Sequence, residues 1–142
     1  MKAKSNFKRF NLSFLMLLFV LVTNSTIAQE KKSVDSNDFK IIVEKTENGI
    51  KLQSVQGCAW KELSFKLNDY QPQAINEFGM TELDKTPAKQ DANLADFLFT
   101  IIKTDQGIEL KGMEGTAWSE LSFSLAENKS QVIDKQGMTI LN

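Results

Sequence analysis

The chain has 142 residues, 42% of them hydrophobic and 25% charged, with a formal net charge of −1, no histidine, two prolines and one cysteine. That is the composition of a globular protein, neither disordered nor collagen-like. A lone cysteine excludes an intrachain disulfide framework, and the lack of histidine excludes imidazole chemistry.

Residues 1–28 read as a secretory signal peptide. Lys2, Lys4, Lys8 and Arg9 form a basic start, Phe14 to Val22 is an unbroken apolar run, and Thr26-Ile27-Ala28 offers small residues at a cleavage site. The run is short of the roughly 20 residues a helix needs to span a bilayer, so an uncleaved anchor is the lesser alternative. Gln29, not cysteine, stands directly after the cleavage site, and Cys58 lies far downstream, which argues against lipid anchoring. Cleavage removes four cations and no acid, taking the net charge from −1 to −5 and leaving no arginine. Nucleic acid is therefore not an expected partner, because guanine and phosphate contacts rely on arginine. No basic stripe offers itself to an anionic membrane, and no membrane anchor is expected in the mature chain. The signal and the lysine-rich, arginine-free composition suggest a periplasmic or secreted protein of a Gram-negative bacterium.

Residues 29–37 are a charged, flexible lead-in without apolar pattern. The chain then contains one pattern twice. Residues 38–83 and 96–141 align without a gap at an offset of 58, with 21 identities over 46 positions. A polar, proline-containing linker, 84–95, separates them, and Asn142 closes the second repeat. A unit of this size buries too little surface to fold well alone, so the two are expected to share one core as a pseudo-twofold pair. Two independent mini-domains are the alternative.

Within a unit the apolar period is two. Phe39, Ile41 and Val43 alternate with Lys40, Ile42 and Glu44, then Asn48-Gly49 precedes Ile50 and Leu52. Asn-Gly between alternating runs predicts a two-residue hairpin loop. That loop would set Lys45 against Leu52 and Val43 against Ser54. The second unit repeats this with Gln106-Gly107 as the loop and Phe97, Phe99, Ile101, Ile108 and Leu110 as the inner face. A third strand is expected over Ala59–Leu67, a fourth over Gln73–Asn76, and a further one near Met80. The fold class expected is all-β: a small sandwich or partly closed barrel of about eight strands, built from two tandem four-stranded repeats. A pair of propeller blades is a remote alternative.

Parity within the third strand singles out candidate binding residues. If that strand is regular from Ala59, Leu63 and Phe65 face the core. Trp60, Glu62 and Ser64 then share the opposite face, as do Trp118, Glu120 and Ser122. Tryptophan is a flat apolar platform for a sugar ring or a side chain, and glutamate an acceptor beside it. The competing reading starts the strand later, which turns the indole into the core. Met80 and Met138 are expected to plug the core. Cys58 aligns with Thr116, so the pattern requires no thiol.

Catalysis is not expected, nor is a cofactor or a metal. A carboxylate pair made of Glu62 and Glu120 could in principle act on glycosides, but 18 acids make such pairs commonplace. The functional expectation is a non-catalytic exported module that binds a protein or glycan through the Trp–Glu–Ser faces. The alternatives are a self-associating homo-oligomeric subunit, or an inhibitor of an extracellular enzyme acting through the hairpin tips.

Overall fold

The computed structural model describes residues 38–85 and 90–141. The expected signal peptide (1–28), the lead-in (29–37) and part of the linker (86–89) lie outside the described residues.

Ten strands and no helix make up the described residues. They are β1 (Lys40–Thr46), β2 (Gly49–Gln56), β3 (Glu62–Phe65), β4 (Gln73–Asn76), β5 (Gly79–Thr81), β6 (Leu98–Thr104), β7 (Gly107–Glu114), β8 (Glu120–Phe123), β9 (Ser130–Asp134) and β10 (Gly137–Thr139). They form two five-stranded antiparallel sheets, ordered β10-β9-β1-β2-β3 and β5-β4-β6-β7-β8, and not a closed barrel. The count is ten rather than about eight, because the further strand expected near Met80 forms as Gly79–Thr81 and its counterpart as Gly137–Thr139, each at the edge of a sheet.

The alternation read from the sequence decides which faces meet. Phe39, Ile41, Val43, Ile50 and Leu52 of one sheet and Phe97, Phe99, Ile101, Ile108 and Leu110 of the other are buried in a single cluster. Each fully buried aliphatic side chain there contributes roughly 1.5–3 kcal/mol over its exposed state. Phenylalanine rings bridge the layers, with the Phe39 centroid 4.4 Å from that of Phe97 and 6.2 Å from that of Phe99. Ala95, at the end of the expected linker, is buried in the same cluster.

The hairpin register differs from the expected one by two residues. Thr46 pairs with Gly49, Lys45 with Ile50 and Val43 with Leu52, so the loop is Glu47-Asn48 rather than Asn48-Gly49. The second hairpin follows, with Thr104 opposite Gly107 and Asp105-Gln106 as the loop. Glycine is needed one step later than the turn. A Cβ on Gly49 would collide with the carbonyl oxygen of Phe65 on β3, and one on Gly107 with that of Phe123 on β8. A shift of two preserves strand parity, so the inner face is the one expected.

The third strand is also shorter than expected, starting at Glu62 rather than Ala59. The backbone before it is drawn elsewhere: Ala59 N–H donates to the Glu77 carbonyl at 2.8 Å, and Ala117 N–H to that of Lys135 at 2.8 Å. Met80 and Met138 do not plug the core. Each lies on the last strand of its sheet and is half exposed, 51% and 52%.

Candidate functional site

The six side chains expected to share two faces are divided by the late start of β3 and β8. Glu62 and Ser64 alternate with Leu63 and Phe65, which pack against the core, so the acid and the serine lie on the outer face and are exposed. Lys51 stands opposite Ser64 on that face, and Glu62 accepts a 3.4 Å hydrogen bond from the Gln53 amide. Glu120 and Ser122 stand likewise on β8, opposite Lys111 and Glu109. The two glutamates therefore lie on the outward faces of different sheets and do not converge on one substrate.

The tryptophans turn the other way. Trp118 is 9% exposed and packs beside Phe99, with centroids 6.0 Å apart. Trp60 is half-buried against the same core. Each indole spends its N–H inside the fold: Trp60 Nε1 donates to the Asn76 carbonyl at 3.0 Å, and Trp118 Nε1 to the Asp134 carbonyl at 2.9 Å. Asn76 Oδ1 in turn accepts from the main-chain N–H groups of Phe78 and Gly79, at 2.9 and 3.1 Å. Asp134 Oδ1 does the same for Gln136 and Gly137, at 2.7 and 3.1 Å. The Trp–Glu–Ser faces are thus not assembled as three side chains on one surface.

Other features present chemistry that no local sequence pattern marks. The edge strands β5 and β10 carry exposed Met80 and Met138, followed by exposed Leu83 in one case and Ile140 and Leu141 in the other. A groove of about 490 Å³ runs beside β5, lined among others by Pro72, Met80, Leu83 and Lys85. A second cavity, about 240 Å³, opens at the β1–β2 hairpin end over Ile50, Leu67 and Ile108. Edge position is a property of strand order, which apolar periodicity does not encode, so the first surface leaves no trace in the pattern of residues.

Titratable groups are perturbed in three places. Burial pushes the Cys58 thiol up to about 11, opposed by a hydrogen bond with Ser54 and reinforced by the charge of Glu77. Burial also raises the Glu77 carboxyl, and nearby Asp96 and Glu114 add to the rise. The Tyr70 hydroxyl is raised mainly by its hydrogen bond to Asp105. Among the described residues no group of three or more acidic or cysteine side chains is placed to hold a metal ion. No helix of the described residues is long and apolar enough to cross a membrane.

A comparison with protein-family models, curated proteins and solved structures found no match to this chain.

Proposed function

We propose that the chain is an exported, non-catalytic β-rich interaction module of the cell envelope that engages a protein partner along its sheet edges. The observation that carries this reading is the pair β5 and β10. Each ends its sheet, each is three residues long, and each sets an exposed methionine beside further exposed apolar residues. A free edge offers main-chain donors and acceptors to an added strand, and flanking apolar side chains supply selectivity. Methionine adapts to varied partner surfaces. A protein is preferred to a glycan because both indoles, the only tryptophan platforms in the chain, are engaged within the fold.

The same reading takes residues 38–83 and 96–141 as copies of one unit related by a pseudo-twofold axis. Three observations support it. The 58-residue offset carries β1, β2 and β3 onto β6, β7 and β8. The two sheet orders become identical when strands are exchanged by that offset. Each half also lends its last hairpin to the other sheet: β4–β5 joins β6–β8, and β9–β10 joins β1–β3.

Lysine on an edge strand opposes strand addition. Met80→Lys and Met138→Lys should therefore abolish recovery of a cross-linked envelope partner while shifting the melting temperature little. Unchanged recovery in the double variant would overturn the edge reading. If wild-type protein instead shows concentration-dependent sedimentation that both lysines abolish, the partner is a second copy of the chain.

A further inference from the structure

Neither sheet is complete within one half of the chain. Residues 38–83 supply β1, β2 and β3 to one sheet and β4 and β5 to the other, and residues 96–141 supply the rest. The halves meet along two strand seams, β1 against β9 and β4 against β6. The core crosses the same division, with Phe39 of one half 4.4 Å from Phe97 of the other. Polar bonds cross it too. Lys135 pairs with Asp38 at 3.6 Å and Lys103 with Asp69 at 3.1 Å, and the Tyr70 hydroxyl donates to Asp105 at 2.7 Å. The Asn128 N–H donates to the Lys45 carbonyl at 2.9 Å, and the Tyr70 N–H to the Lys103 carbonyl at 3.0 Å.

Each half is braced by its own residues. The Trp60 bond to Asn76 and the Trp118 bond to Asp134 both stay within one half, while each spans the two sheets. A half is therefore a braced clamp whose inner faces and strand seams are filled by the other half. The covalent link between them is residues 84–95 alone. None of the contacts between the halves requires that both belong to one chain.

We propose that the partner of each half is also the other half of a second copy, so that residues 38–83 of one chain pair with residues 96–141 of another, and the reverse, in an exchanged dimer of two complete sandwiches. The bonds lost in opening one sandwich are remade in the dimer, so concentration competes with the effective concentration that the linker provides. That value is on the order of millimolar for a flexible tether, which favours the closed monomer in dilute solution. Charge favours unlike halves. By the 58-residue offset Glu77 stands in the place of Lys135, so two first halves would set Glu77 beside Asp38 at both corners. The exchange uses neither Met80 nor Met138, so it and the edge reading can fail separately.

Two variants of the mature chain test the exchange. Ile41→Asp puts a carboxylate at a fully buried position of the first half, and Ile101→Asp does so in the second. Neither variant alone should show a cooperative melting transition. Refolded together, they should regain one and sediment as a 1:1 complex, because the intact second half of one meets the intact first half of the other. A mixture as unfolded as its components would overturn the proposal. Deleting residues 83–93 supplies a second reading. Thr81 is level with Thr100, five residues along from Ala95 and two strands away, which makes a separation of about 19 Å. The Glu82-Leu94 bridge left by the deletion spans at most about 11 Å, so the closed form is out of reach. That variant should sediment as a dimer, and should do so equally with Met80→Lys and Met138→Lys added. A monomeric deletion variant would also overturn the exchange, and a dimer lost on adding the two lysines would assign it to the sheet edges instead.

Discussion

The indole N–H of Trp60 donates to the main-chain carbonyl of Asn76 at 3.0 Å, tying the segment before β3 in one sheet to the β4–β5 hairpin of the other. Gly79 lies beside the ring, but a Cβ there would stand at an ordinary 3.8 Å from Trp60 Cδ1; glycine is favoured instead by its φ of 125°. The bond of Trp118 to Asp134 makes the converse tie, from the β7–β8 segment to the β9–β10 hairpin. The tryptophans and the turn residues Asn76 and Asp134 therefore act as clasps between the sheets, while Gly79 and Gly137 take the positive φ of the turns that follow.

Each clasp should be measurable alone. Trp60→Phe or Trp118→Phe keeps most of the apolar contact but leaves a carbonyl without its donor, at a cost of about 1–3 kcal/mol. Trp118→Ala also opens a cavity beside Phe99 and should cost about 3–5 kcal/mol. Urea unfolding reads both. In the Trp60→Phe variant the remaining indole, Trp118, should emit blue-shifted fluorescence resistant to acrylamide. Red-shifted, readily quenched emission would contradict the clasp.

The hairpin register makes its own prediction. Gly49→Ala should destabilise by roughly 2 kcal/mol or more, because the methyl group meets the Phe65 carbonyl on β3. Asn48→Ala, in the loop, should cost well under 1 kcal/mol. The reverse ranking would support the Asn48-Gly49 loop instead.

Apolar alternation makes the inner faces of β1, β2, β6 and β7 legible from the sequence, because period-two patterning and burial are the same physical fact. The hairpin register is not legible in the same way. Asn-Gly satisfies a turn signal, while the glycine answers a steric demand from a strand that follows it in sequence. Parity counted from Ala59 places Trp60 on the outer face. The hydrogen bond from Ala59 to Glu77 that breaks that parity joins residues 18 apart and carries no local mark. Strand order is hidden for the same reason. Nothing within residues 73–81 says that they pair with Leu98–Ile101 rather than with their own β1. The methionines at 80 and 138 thus read as core residues by composition, although their strands end the sheets.

Cys58 supplies a pH prediction at the alkaline end. Burial lifts the thiol from its ordinary 9.0 to about 11, so the folded chain holds a proton that the unfolded chain has released. Stability conferred by the neutral thiol is complete below pH 9 and declines as pH rises toward 11, by no more than about 1.4 kcal/mol per pH unit. Cys58→Ala should flatten that part of the profile relative to wild type. Thiol labelling at pH 8 should be slow in native buffer and fast in urea.

Glu77 makes the opposite kind of prediction. It is 5% exposed, and its raised carboxyl lies near Asp96 and Glu114. The offset of 58 carries Glu77 to Lys135, Asp96 to Asp38 and Glu114 to Gln56. At that equivalent position Lys135 sits 3.6 Å from Asp38, while the Gln56 amide donates to the Asp38 carbonyl at 3.0 Å. One corner of the fold is thus a compensated pair, and the other gathers three acids. A carboxyl whose folded value is raised binds its proton more tightly in the native state, so its contribution to stability increases as pH falls from neutrality toward 4.5. Glu77→Gln should remove that increase, seen as the difference between the wild-type and variant pH profiles. Glu77→Lys, which recreates the Lys135–Asp38 arrangement, should stabilise at pH 7 by about 1 kcal/mol, or roughly 5 °C in melting temperature. A Glu77→Lys protein no more stable than wild type at neutral pH would show that the three acids do not repel one another through this corner.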